Sequence, residues 1–226
     1  MQICNPTGQR EIVRRTKEQS EQTRQHIMRA ARREFARHGV TRTTLERVAA
    51  EADVTRGAVY WHFANKRDLF RSMRDQVSLP LFDRAELPDG DDPDPLLGVE
   101  RFLNGVIDQV AGDRQTRQTF DILSLKCEYV DEFRSELKRH TQRCHELMLG
   151  LADVYGRARG AGMLREGVVP DQAALGTCVF ITGLLRLWLM DSDGTLLRMR
   201  AHALIADHIA ALRAPVRPSG RLRDRA

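Results

Sequence analysis

From Glu18 to Leu212 the apolar residues recur at intervals of three and four, and no stretch alternates apolar with polar residues for long. That spacing lines one face of an α-helix and cannot line one face of a strand. An all-α fold follows. Helices are expected at about 18–38, 43–52, 56–62, 66–82, 96–111, 114–129, 131–160, 171–190 and 195–212. Gly39 stops the first. Thr43-Thr44 opens the second, with Glu46 three residues after Thr43 as in a capping box. Asp53-Val54 forms a tight turn, and Thr55 caps the third. Residues 83–95 hold three prolines, one glycine and six acidic residues, which makes them a loop or linker. The stretch 214–226, with two prolines and alternating arginines, reads as a disordered tail.

One helix differs from the others. Asp171 to Met190 is apolar on nearly every face, whereas a surface helix shows one apolar stripe. Either a second copy of the chain covers its outer side, or it is the central core helix of a monomer. The first reading makes 171–190 and 195–212 a homodimer interface. No run of 18 or more uncharged apolar residues is present, so no membrane partner is expected. Residues 1–15 lack the apolar core of a secretory signal, which makes the cytoplasm the default location.

Charge divides the chain. Residues 1–75 carry 16 Lys/Arg and 9 Asp/Glu, a balance of +7. The remainder carries 20 and 22, a balance of −2. A basic first third suggests a polyanion-binding module joined to something else, against the plainer alternative of a solvated basic helix.

Leu45–Phe63 (LERVAAEADVTRGAVYWHF) has the form of a helix-turn-helix. Leu45, Val48 and Ala49 face inward from its first helix, Ala58 and Val59 from its second. Thr55, Arg56, Gly57, Tyr60 and His62 are left outward or along the edge. A recognition helix sets its N-terminal residues against base edges in the major groove. Arg56 is then the base reader, since its planar fork can grip guanine O6 and N7 together. Gly57 removes a side chain where backbone must approach DNA. Thr44 and Thr55 offer hydroxyls and helix N-terminal amides to phosphates. Tyr60 and His62 can donate to phosphates, and Lys66 adds positive charge.

With these residues in place, 22–75 resembles the DNA-binding domain of the tetracycline-repressor family. The likeness covers TRQHIMRAARREFARHGV in the first helix, the helix-turn-helix, and Tyr60-x-His62-Phe63-x-x-Lys66 followed by Asp68-Leu69-Phe70. It implies a three-helix DNA-binding head, a larger helical ligand-binding and dimerisation domain, an obligate dimer, and the same DNA roles for Thr44, Thr55, Arg56, Gly57, Tyr60, His62 and Lys66. Trp61 is expected to pack against the first and fourth helices. The domains would be a flexible extension at 1–15, the head at 16–65, the body at 66–213 and a basic tail at 214–226. Leu123–Val130 (LSLKCEYV) and the run from Phe180 to Trp188 are similar to the acriflavine-repressor branch. That likeness implies repression of a multidrug efflux operon from a pseudo-palindromic operator, and release by hydrophobic drug-like ligands. The extension before Thr16 and the arginine-rich tail depart from the branch pattern.

A ligand cavity is mostly apolar with a few polar groups that fix orientation. Phe120, Ser124 and Cys127 share one face of the sixth helix at spacings of four and three. Thr182 and Arg186 recur likewise on the eighth. Phe180 and Trp188 add aromatic surface, and Met73 adds soft, adaptable surface. Resemblance to drug-binding members places Phe120, Ser124 and Thr182 where pocket residues fall; ordinary core packing is the alternative for each. Arg186 and Glu128 stand in apolar surroundings and call for pairing, with each other or with a charged ligand.

Other signals remain open. His140 and Cys144 share a helix face as a metal pair would, with no third ligand nearby, so no metal site is assigned. Cys127 or Cys178 is a thiol switch only if its pKa is lowered. A metabolite is the further alternative to a drug. There is no Walker loop, Gly-x-Ser-x-Gly elbow, His-Glu-x-x-His or dinucleotide fingerprint, so neither enzyme activity nor a cofactor is expected.

Overall fold

The computed structural model describes residues 6–77, 87–88, 90, 92–191 and 193–215. Among these, regular structure is helical: α1 Pro6–His38, α2 Leu45–Glu51, α3 Arg56–His62, α4 Lys66–Arg74, α5 Pro95–Gly112, α6 Arg114–Asp121, α7 Arg134–Gly160, α8 Pro170–Met190 and α9 Ala201–Leu212. The chain forms two compact units. Residues 1–78 and 113–138 make the first, 79–112 and 139–226 the second. α4, α6 and the segment after it fall in the same unit as α1–α3.

The first unit is built around α1. Ile27, Ala30, Ala31 and Phe35 of α1 are fully buried, with Val48 of α2, Val59 of α3 and Leu69 and Met73 of α4. Phe70 sits between Phe35 and Phe133, with ring centroids 5.9 and 5.1 Å away in edge-to-face geometry. Each short helix has its own cap. The side chain of Thr44 accepts from Arg47 N at 3.3 Å, Thr55 from Ala58 N at 3.2 Å, and Asn65 from Asp68 N at 2.9 Å. Of the pair Thr43-Thr44, Thr44 supplies the cap of α2. The Thr43 hydroxyl is buried and donates to the carbonyl of Gly39 at 2.8 Å. Gly39 has φ +79°, a left-handed backbone that favours glycine, with the Lys126 carbonyl in ordinary contact distance of a Cβ placed there.

The same carbonyl marks a shortened helix. The Lys126 carbonyl accepts from Val40 N at 3.0 Å, and α6 gives way to a π-helical turn at Ile122–Lys126. Cys127 is extended, and the Tyr129 hydroxyl donates to the Leu123 carbonyl at 2.8 Å. The helix expected to reach Tyr129 therefore ends at Asp121. α4 stops at Arg74, short of the expected Phe82, and is followed by a turn to Val77. α1 begins at Pro6, twelve residues ahead of the expected Glu18. α9 begins at Ala201, because the Asp191 carboxylate caps the turn at 196–198 by accepting from the amides of Leu197 (2.9 Å) and Arg198 (3.1 Å).

In the second unit α9 packs against α5 and α8. Tyr155 of α7 is fully buried, its hydroxyl 2.7 Å from Thr177 Oγ1 of α8; that oxygen lies 2.9 Å from His208 Nε2 of α9. Phe180 stacks on His208 at 4.3 Å. Arg213 grips Asp94 with two hydrogen bonds of 2.9 and 3.0 Å. α8 is long and apolar enough to cross a membrane, a test that the core helix of a soluble protein also passes. Its inner side, Ala174, Thr177, Ile181 and Leu185, is buried, while Leu175, Val179, Leu187 and Met190 are exposed. The expected tail, from 216 onward, and residues 83–86, 89 and 91 of the expected linker at 83–95 lie outside the described residues.

Candidate nucleic-acid interface

The helix-turn-helix closes through its backbone. Ala52 N and Val54 N donate to the carbonyls of Val48 (2.9 Å) and Ala49 (3.0 Å), and Asp53 takes φ +48°. This turn lets Val59 reach the core and turns the rest of α3 outward.

Arg56 does not hang free on that outer side. Its Nε lies 3.0 Å from Glu46 Oε1 on α2. Its Nη2 donates to the Tyr60 hydroxyl at 3.3 Å, and its guanidinium carbon stands 5.3 Å from the Tyr60 ring centre. The Tyr60 hydrogen bond, then the Glu46 charge, hold its pKa above the ordinary arginine value. The Glu46 carboxyl is held below its usual range by hydrogen bonds from its own amide and from the Thr44 hydroxyl. Thr44, Glu46, Arg56 and Tyr60 thus form one row of polar contacts across α2 and α3.

Thr44, Thr55 and Gly57 are exposed. A Cβ on Gly57 would meet nothing nearer than Thr55 Oγ1 at 3.8 Å, so nothing in the chain itself demands glycine there. His62 is half-buried; burial, then the charge of Arg24, push its pKa down. Lys66 is drawn inward: its side chain is 18% exposed, and Nζ donates to the Thr41 carbonyl at 3.0 Å with Glu132 Oε1 at 3.7 Å.

Trp61 corrects the expectation of interhelical packing. It is 72% exposed, touching the His62 ring edge-to-face at 4.5 Å. The sequence did hold a signal: Trp61 follows Gly57 by four residues and so shares its outward face. Several basic residues of the head are spent within it. Glu34, nearly buried, faces Arg47 at 3.0 Å and Arg37 at 3.6 Å, and Arg33 meets Glu51 at 2.5 Å. Arg32 is buried, donating to Thr119 Oγ1 at 3.1 Å and Gln76 Oε1 at 2.7 Å; burial lowers its pKa to about 10.

The residues expected to line a ligand site fall in both units. In the first, Met73 and Phe120 are buried, while Ser124 and Cys127 are half-buried around the π turn. In the second, Trp188 is buried beneath the Arg198 guanidinium, whose carbon stands 4.6 Å from its ring centre. Phe180 stacks on His208, while Thr182 and Arg186 are exposed on the outer side of α8. Glu128 is exposed as well, so neither it nor Arg186 carries the burial cost that pairing was to offset. A cleft in the second unit is lined by Leu164, Arg165, Glu166 and Arg213, among others, and by none of these eight residues.

The thiols are held protonated. Burial raises Cys127 to about 12 and Cys178 to about 11, and it raises Cys144 as well. Cys144 Sγ lies 3.7 Å from His140 Nε2, and among the described residues no group of three metal-ligating side chains forms.

Two family descriptions match the chain: bacterial regulatory proteins of the tetR family over residues 27–73, and the C-terminal region of MAATS-type transcriptional repressors over 94–214. The HTH-type transcriptional regulator TtgR of Pseudomonas putida is 36% identical over 187 residues, which are 80% of this chain and 87% of that protein. AcrR of Shigella flexneri is 30% identical over 86% of this chain and 91% of its own. Among solved structures, NalD, the secondary repressor of the MexAB-OprM multidrug efflux pump in Pseudomonas aeruginosa, superposes with a TM-score of 0.73. It is 31% identical, and the alignment covers 87% of this chain and 98% of NalD.

Proposed function

The chain belongs to the TetR family of bacterial transcriptional regulators, and on that premise we propose that it is a dimeric, ligand-released repressor of a multidrug efflux operon, acting in the cytoplasm on a pseudo-palindromic operator. The observation that carries this reading is the outward row on α2 and α3: Arg56 held by Tyr60 and Glu46 between two exposed caps, Thr44 and Thr55. Arg56 reads a guanine edge. Tyr60, His62, Thr44 and Thr55 contact phosphates, and bare Gly57 lets backbone approach. Lys66, pinned to Thr41, sets the start of α4 beneath α3 and contributes only diffuse charge.

The dimer forms through α8 and α9. Leu175, Val179, Leu187 and Met190 leave an apolar strip that a monomer would expose. Thr182 and Arg186 lie on that strip and are assigned to the interface. Met73, Phe120, Ser124 and Cys127 of the first unit form the effector-facing set, suited to a hydrophobic, drug-like molecule, whereas Phe180 and Trp188 pack against His208 and Arg198 in the second. The effector acts through its higher affinity for a state whose heads no longer match the half-site spacing.

A metabolite effector is the second reading, because an apolar body suits any hydrophobic ligand. A thiol switch is disfavoured by the raised thiols of Cys127, Cys144 and Cys178. The test is fluorescence anisotropy of the protein on the DNA upstream of its own gene, with a salt titration and a panel of hydrophobic cations, dyes and antibiotics. Tight, salt-sensitive binding released by one class of compound supports the reading; binding released only by zinc or an oxidant contradicts it.

A further inference from the structure

Glu46 is the one carboxylate in the row Thr44–Glu46–Arg56–Tyr60, and its position is not explained by stability. Both partners of its ion pair are largely exposed, with side chains 50% and 63% accessible. Exposed pairs of this kind contribute little to folding. On a face that meets phosphates, a carboxylate also opposes binding through charge repulsion. Yet Glu46 reaches across to the next helix, its Oε1 3.0 Å from Arg56 Nε.

What it does geometrically is clear. A guanidinium has five N–H donors. Glu46 takes the Nε side, Tyr60 takes one donor of Nη2, and the Tyr60 ring backs the plane. The distal edge of the fork, made by Nη1 and the second Nη2 hydrogen, is left for an outside acceptor. That edge suits paired acceptors such as O6 and N7 of guanine. A long, flexible side chain held from two sides loses less freedom on binding.

We propose that Glu46 is a positioning residue that sets base selectivity: it aims the distal edge of Arg56 at one base pair and, by its charge, penalises binding to unrelated duplex. The inference rests on α3 being the recognition helix. It predicts that Glu46 acts through Arg56, not through a base of its own.

The test measures affinities of the full-length protein, Glu46→Gln, Glu46→Ala and Arg56→Ala for the operator, for single-base-pair variants of it, and for unrelated duplex. Melting temperatures serve as the folding control. In both Glu46 variants, discrimination at the base pair that Arg56→Ala also ceases to read should fall by about tenfold. Unrelated duplex should bind more tightly, and Glu46→Ala should change that discrimination no further in an Arg56→Ala background. Unchanged discrimination overturns the proposal. So does loss of selectivity at a different base pair, because Glu46 would then read a base directly, as a carboxylate can with the cytosine amino group. If the unaltered protein bound no duplex with sequence preference, the operator reading itself would fall, and this inference with it.

Discussion

Lys66 Nζ donates to the carbonyl of Thr41 at 3.0 Å, tying the first residue of α4 to the loop between α1 and α2. The same ammonium faces Glu132 at 3.7 Å and the Phe133 ring at 5.7 Å. Lys66 therefore works inside its unit. Lys66→Ala should lower stability by about 1–2 kcal/mol, because a charged donor to a backbone carbonyl is lost. It should change the salt slope of DNA binding by well under one unit. Denaturant melts and a salt titration separate the two roles; a slope reduced by about 0.9, the value for one phosphate contact, would restore Lys66 to the interface.

Arg56→Ala should weaken operator binding by about 1–3 kcal/mol and relax preference at one base pair, leaving unrelated duplex less affected. Competition with single-base variants checks this. Equal losses on all sequences would make Arg56 a phosphate contact.

The exposed Trp61 supplies a probe, because the only other tryptophan, Trp188, is buried. Operator binding should quench the emission of Trp61, and Trp61→Phe should remove that response while the emission of Trp188 persists. A quench that survives Trp61→Phe would place the signal in the body.

His208 predicts a pH dependence. Burial lowers its pKa in the fold below the ordinary 6.5. The unfolded chain then binds the proton more readily, so the stability linked to neutral His208 is complete above about pH 6.5 and is lost as pH falls below it. Melting temperatures between pH 8 and 5.5 should show a drop that His208→Gln diminishes. An unchanged slope in the variant would assign the acid effect elsewhere, His62 being another histidine lowered by burial.

The apolar strip on α8 predicts the assembly. Val179→Arg with Leu187→Asp should yield a monomer by sedimentation and weaken operator binding severely, since each half-site then binds without its partner. A double variant that stays dimeric would move the interface off α8.

Most of the architecture could be read from the sequence because helix periodicity, caps and stops are local. Gly39, Thr44, Thr55 and Asn65 mark boundaries through hydrogen bonds that reach no farther than three or four residues. Misjudged elements depended on distant partners. Past the π turn at 122–126, Val40, far off in the chain, takes the Lys126 carbonyl that a continuing helix would use. Lys66 turns inward to Thr41, twenty-five residues away. Trp61 is expected to pack against the first and fourth helices, but its position one turn after Gly57 places it outside. Glu46 was read only as a helix-capping partner, and no local pattern shows that it reaches Arg56 on the next helix. The effector-facing residues were chosen by regular helical spacing, which the π turn at 122–126 does not keep.

As a ligand-released repressor, this protein should hold operator DNA and let it go when a hydrophobic ligand binds. Anisotropy of labelled upstream DNA, titrated first with protein and then with candidate ligands, tests it most directly. Tight binding that weakens steeply with salt and is abolished by one class of hydrophobic compound is the expected result. Specific binding that no such compound alters would contradict it.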